Sequence, residues 1–132
     1  SAIPEIIQAL QSDDHEMPPI ACYALGRIGA ASKPAVPHLR RLLQSRNGLE
    51  RTVAAWALVK IAPDAETIQI AIPLLATALQ KAERPNMRAT AATTLGEIGS
   101  GSPAARAALV EARKDPSDLV RNAAEAALKN LK

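Results

Sequence analysis

Tyr23 and Trp56 are the single tyrosine and the single tryptophan in a chain that has no phenylalanine. Each is followed four residues later by a base, Arg27 and Lys60. On a helix that spacing stacks ring and cation on one face, one turn apart. Aromatic rings and arginine dominate binding energy at protein interfaces, so the pattern points to recognition of another molecule. Catalytic constellations are thin by comparison. His15 lies in an acidic turn and His38 points outward from a helix, and neither has metal-ligand spacing to another His or Cys. Asp13 and Asp14 are adjacent turn residues and do not oppose one another as acid and base. Gly96, Gly99 and Gly101 follow a helical pattern rather than a strand, so they make no dinucleotide-binding loop. No catalytic residue, cofactor or metal is assigned, and the chain is read as a non-enzyme.

The charge pattern admits two readings. The net charge of the 132 residues is only +3, but it is uneven. Residues 18–60 hold seven bases (Arg27, Lys33, Arg40, Arg41, Arg46, Arg51, Lys60) against one acid, Glu50, whereas residues 1–17 hold four acids and no base. That asymmetry fits an anionic partner for the first half, or simply a solvated surface. Bases interleaved with aromatics also suit nucleic acid, through phosphate neutralisation and base stacking, though the charge is modest for that role. No apolar run approaches the roughly 18 residues of a membrane span, and no secretory leader is visible. A lone cysteine excludes an internal disulfide and leans toward a reducing, cytoplasmic compartment. The start at Ser1-Ala2 without Met leaves room for a leader or domain removed upstream.

The elements that carry these residues repeat. Ala21 to Gly29 reads A-C-Y-A-L-G-R-I-G, and Ala91 to Gly99 reads A-A-T-T-L-G-E-I-G. Weaker copies run from Ala54 to Ala62 and from Ala124 to Lys132. The central leucines, Leu25, Leu58, Leu95 and Leu128, fall at intervals of 33, 37 and 33 residues. A period of that length marks an array of helical hairpins. Helices are expected over about 2–12, 19–29, 32–46, 49–62, 65–82, 86–99, 103–114 and 117–131. The breaks fall at Pro18-Pro19, Gly29, Asn47-Gly48, Pro63-Asp64, Arg84-Pro85-Asn86, Ser102-Pro103 and Asp115-Pro116. Asp64 and Ser102 are expected N-caps, and Gly29 a left-handed stop. The first helices begin A-I-P, A-V-P and A-I-P, at Pro4, Pro37 and Pro73. Proline in the first turn removes only a bond that has no partner there. Pro73 lies deeper, where a kink is expected. Relative to each leucine, alanine stands four residues before (Ala21, Ala54, Ala91, Ala124) and Ile28, Ile61, Ile98 and Leu131 three after. Those positions form one helix face that must pack on the partner helix.

The A-V-P-H-L-R-R-L-L start, the V-R-N-A-A-E-A-A-L run and the A-L-G-R-I-G ending resemble the HEAT repeat, particularly the bacterial HEAT-like form of phycobilin-lyase type. The resemblance covers essentially the whole chain, except that Pro18 stands where the other repeats have an arginine and Thr94 where alanine is usual. It implies an all-α fold: a right-handed alpha-alpha superhelix of four hairpins, with repeats at about 1–31, 32–63, 64–101 and 102–132. It also implies binding or scaffold work without catalysis, and by kinship leaves a lyase subunit or a nucleic-acid-binding module as alternatives. Fold analogy alone does not fix which.

Three residues before each leucine stand Cys22, Ala55, Ala92 and Glu125. The three small residues are expected to face the next repeat, with the Cys22 thiol buried and inert. Glu125, with Arg106 and Arg113, reads as a polar C-terminal cap. Ile3, Ile6 and Ile7 have no such dressing. They suggest the C-terminal part of a longer array, or self-association at the N-terminal hairpin. Arg51, Arg88 and Arg121 recur seven residues before the leucines, a register that suits bonds to the hairpin turn. The second helices are rich in small residues, so they should pack tightest and line the inner curve. The expected partner face therefore carries Tyr23, Arg27, Thr52, Trp56, Lys60, Thr93 and Glu97, open to a peptide, helix or protein partner.

Overall fold

The computed structural model describes residues 2–14 and 16–131, so His15 lies outside the described residues. The helices run α1 (Ile3–Leu10), α2 (Met17–Ile28), α3 (Val36–Leu42), α4 (Gly48–Ile61), α5 (Ala65–Lys81), α6 (Pro85–Ile98), α7 (Pro103–Ala112) and α8 (Asp118–Asn130). A 3-10 segment, Gly29–Ala35, precedes α3. No strand occurs among the described residues, and the fold is all-α, as the periodicity requires. The chain divides into two compact units, Ser1–Ala71 and Ile72–Lys132, so the division falls inside α5.

Local chemistry explains most boundaries. The Asp64 carboxylate accepts from the Thr67 N–H at 2.8 Å, and the Ser102 hydroxyl accepts from the Ala105 N–H at 3.1 Å. Each cap satisfies a donor that the first helical turn leaves open, an effect of about 1 kcal/mol. Asn47, read from sequence as the end of α3, instead caps α4, accepting from the Glu50 N–H at 3.0 Å. Pro4 and Pro37 fall in the first turns of α1 and α3, while Pro73 lies inside α5. Gly29 does take a positive φ of 81°, but with ψ of −139°, outside the left-handed helical well. The chain then continues as a 3-10 turn, which is why α3 starts only at Val36. Gly99 differs from its repeat partner. Its φ is −88°, and the positive φ falls on Gly101.

In the first unit the core is Leu10, Ala21, Cys22, Leu25, Leu39, Ala54 and Leu58; in the second it is Leu79, Ala91, Leu95, Leu109, Val120 and Ala124. A fully buried leucine contributes about 1.5–3 kcal/mol. Most of the face expected from the repeat is therefore buried, although Ile98 and Leu128 are only half-buried and one residue is open. Ile28, the last residue of α2, is 44% exposed, at the point where the chain turns away through Gly29.

The recurring arginines tie the turns. Arg51 donates to the Ser45 carbonyl at 2.6 Å, Arg88 to the Ala82 carbonyl at 2.8 Å, and Arg121 to the Asp115 carbonyl at 2.6 Å. In each case the acceptor lies six residues upstream. Arg88 also grips Asp115 with two bonds, at 2.9 and 3.1 Å, and Arg121 pairs with Asp118. Burial alone would raise the Asp115 carboxyl. The Arg88 hydrogen bond, the Ser117 N–H and the charges of Arg88 and Arg121 outweigh it and hold the group below its ordinary value.

Candidate interaction face

Tyr23 is carried by α2 and Trp56 by α4, neighbouring helices that pack together in the first unit. The two rings stack on one another, with centroids 5.3 Å apart and planes 11° from parallel. Such offset pairs stabilise by about 0.5–1.5 kcal/mol beyond area burial. Each ring also has a cation beside it. The Arg27 guanidinium carbon is 5.8 Å from the Tyr23 centroid, and Arg27 Nη1 donates to the Tyr23 hydroxyl at 3.1 Å. Lys60 Nζ is 5.9 Å from the Trp56 centroid. Cation–ring contacts of this kind contribute about 0.5–1 kcal/mol each at exposed sites. The four residues picked from spacing thus form one contiguous group, two stacked rings each with a cation beside it.

Trp56 has room for its ring because residue 26 is glycine. A Cβ placed on Gly26 would collide with Trp56 Cζ3 and lie 2.9 Å from Cε3. Sequence reading missed this seat, although glycine after the repeat leucine, where Val59 and Lys129 stand elsewhere, was its visible signal. Trp56 is half-buried in consequence, whereas Tyr23 remains 52% exposed. The rings also pack along neighbouring helices, so the stack organises the face as well as presenting it.

The remaining residues of the expected face divide. Thr52 is 8% exposed, and its hydroxyl donates to the Gly48 carbonyl at 2.9 Å, one turn back on α4. It supports the helix beneath the face and offers no polar group to a partner. Thr93 and Glu97 are exposed on α6 of the second unit. Ile3, Ile6 and Ile7, expected as an open apolar surface, are half-buried. The open apolar residues of this end lie instead on α2, where Ile20 is 59% exposed beside Met17 and Tyr23.

Reactive groups elsewhere are few. Burial first, and the nearby Glu50 charge second, push the Cys22 thiol up to about 12, so it stays protonated at neutral pH. His38 Nδ1 lies 3.2 Å from the Gln11 side-chain nitrogen. Among the described residues no group of three or more His, Cys, Asp or Glu is placed to hold a metal ion. A depression in the first unit lined by Arg40, Leu43, Ala55, Leu58, Thr67, Ile70 and Ala71 encloses only about 10 Å³, roughly one water. No helix among the described residues is long and apolar enough to cross a membrane. Arg113 pairs with Glu125 at 2.6 Å, both about half exposed, which dresses the last hairpin with charge.

The geometry can be set beside known proteins. A crystal structure of an engineered protein is similar over 98% of this chain, with 25% identity and a TM-score of 0.68. The structure of human deoxyhypusine hydroxylase in complex with glycerol is similar over 97% of the chain, with 28% identity and a TM-score of 0.59. The chain spans 62% of the former and 42% of the latter. No curated protein matches it in sequence. The family model for HEAT repeats matches residues 51–129. Paired helices, a leucine-centred period and turn-tying arginines are thus joined by a direct family match, and the chain belongs to the HEAT-repeat family.

Proposed function

We propose that this chain is a non-catalytic protein-interaction module that takes a peptide, helix or protein partner on the face built by α2 and α4. One observation carries the reading: the stacked pair Tyr23–Trp56 with Arg27 and Lys60 beside it, Tyr23 being half open to solvent. Aromatic and arginine anchors on a rigid surface are what interfaces concentrate their energy in. Here their rotamers are already held by mutual contact, which lowers the cost of ordering on binding. Thr93 and Glu97 occupy the equivalent register on α6 and are proposed as partner-contacting residues of the second unit by itself. A narrower kinship with the bacterial phycobilin-lyase-type repeats rests on the quoted sequence runs, and a cytoplasmic setting rests on the unpaired, buried Cys22.

A nucleic-acid partner would use the bases of residues 18–60. It fits the geometry less well, because Tyr23 and Trp56 already stack on one another and the net charge is only +3. A complex with nucleic acid would weaken steeply with salt, by about 10³-fold or more between 50 and 200 mM for six or more phosphate contacts. The test is affinity capture from the native source with wild type and with Tyr23→Ala/Trp56→Ala, both checked for folding by circular dichroism. Loss of a captured protein by the folded double variant is expected. Retention of every captured protein would reject the face.

A further inference from the structure

The exposed line along α2 has a symmetry of its own. Glu16, Ile20, Tyr23 and Arg27 follow at intervals of four, three and four residues, which sets them on one helix face. All four are exposed, Ile20 most of the two apolar-bodied residues. Glu16 is the N-cap residue of α2, with its N–H bonded to Asp14, while Arg27 stands in the last turn. The line therefore runs acid, aliphatic, aromatic, base. A two-fold axis passing between residues 21 and 22 brings Glu16 opposite Arg27 and Ile20 opposite Tyr23 at the same time, and both contacts then occur twice. That is the self-complementarity an isologous interface demands.

We propose that the partner of this face is a second copy of the chain, docked antiparallel along α2. This rests on the reading of the α2–α4 face as an interaction surface and names its occupant. The apolar pair Ile20 and Tyr23 would be covered at the centre, and the Glu16–Arg27 pairs would close both ends. Asp13 and Asp14, exposed just before Glu16, add negative potential where the second copy's Arg27 arrives. A uniformly basic surface would instead repel its own copy. The seam is one helix wide, well short of the roughly 800 Å² per partner of a standard stable interface. The dimer should accordingly be weak, with Kd on the order of tens of micromolar or higher.

The experiment is sedimentation equilibrium of the full chain, alone and in mixtures, at concentrations bracketing that Kd. Wild type should show a concentration-dependent monomer–dimer equilibrium. Glu16→Arg makes both ends of the seam basic and Arg27→Glu makes both acidic, so each alone should raise Kd by about tenfold or more. Ion-pair contributions of about 1.4 kcal/mol suffice for that factor. The decisive result is the equimolar mixture of Glu16→Arg with Arg27→Glu. Every Glu–Arg pair is restored between unlike copies, so the mixture should dimerise about as tightly as wild type while each component alone is at least about tenfold weaker. Two misfolded variants could not rescue one another in this way. A wild type that remains monomeric throughout, or a mixture that behaves as the sum of its components, overturns the proposal. If that happens while Tyr23→Ala/Trp56→Ala still loses a captured foreign protein, the face stands and only its occupant is wrong. If neither set of variants changes anything, the reading of the face falls as well.

Discussion

Gly26 and Gly96 hold the same place in their repeats, one residue after the buried leucine, and the chain uses them differently. In the first unit the space above Gly26 is filled by the six-membered ring of Trp56. In the second, the space above Gly96 is filled by Ala127, whose Cα would lie 2.8 Å from an added Cβ. One glycine seats a large side chain at the surface, and the other lets two helix backbones, α6 and α8, approach closely. The outward positions follow suit. The first unit shows Tyr23 with Arg27 and Trp56 with Lys60, and the second shows Thr93 with Glu97 and Ala126 with Asn130. The repeat fixes where the backbone goes, and the residues it leaves free distinguish the proposed recognition surface from plain support.

The largest expected effect breaks the second half of that comparison. Gly96→Ala forces a methyl against α8 backbone and should destabilise by about 3 kcal/mol, the upper end of the overpacking range, read from urea unfolding. Gly26→Ala meets a side-chain ring, which can shift where backbone cannot. It should cost less than about 1 kcal/mol, partly offset by the helix propensity gained over glycine. It should nonetheless displace Trp56 and shift the emission of the chain's single tryptophan. Equal destabilisation by the two variants would erase the distinction.

Next come the turn arginines. Arg88→Ala removes two carbonyl bonds and a two-bond grip on Asp115, whose side chain is 9% exposed. The loss should be about 2–3 kcal/mol, against about 1 kcal/mol for Arg51→Ala, for which the bond to the Ser45 carbonyl is the contact at stake. Acid tests the same contact. Asp115 is held below its ordinary value of 3.8, so its contribution is present above that value and is lost as pH falls through the lower folded one. The wild-type urea midpoint should therefore drop as pH is lowered below about 4, more steeply than that of Arg88→Ala. Thr52→Ala is the smallest change. It deletes one hydroxyl bond to the Gly48 carbonyl and should cost about 1 kcal/mol or less without altering capture of any partner.

Sequence made the architecture legible because its signals are local and redundant. The leucine period, the caps Asp64 and Ser102, and the arginine register each point to the same hairpins, and Leu25, Leu58 and Leu95 are all buried. What it hid depends on neighbours beyond the helix carrying the residue. Thr52 shares the register of Pro19 and Ala89 and reads as a face residue, yet it is buried and its hydroxyl is bonded to the Gly48 carbonyl. Gly29 and Gly99 end matching L-G-x-I-G motifs and adopt opposite signs of φ, because the segments that follow differ. Ile3, Ile6 and Ile7 look unpartnered until α2 and the 3-10 segment are packed beside them. Tyr23 and Trp56 were visible as candidates by rarity alone. Their direct stacking was not, since it requires the Gly26 seat on one helix and the ring on the next.

The register itself supplies the most direct measurement. Positions 23 and 126 are equivalent in the first and last repeats, both exposed, one on each side of the comparison. A photo-reactive benzoylphenylalanine placed at each in turn, irradiated in the native lysate and at working concentration of purified chain, reports which face meets a protein. The account predicts protein adducts, to a second copy or to a foreign chain, from position 23 and none above background from position 126. Equal adducts from both positions, or adducts from position 126 alone, would contradict it.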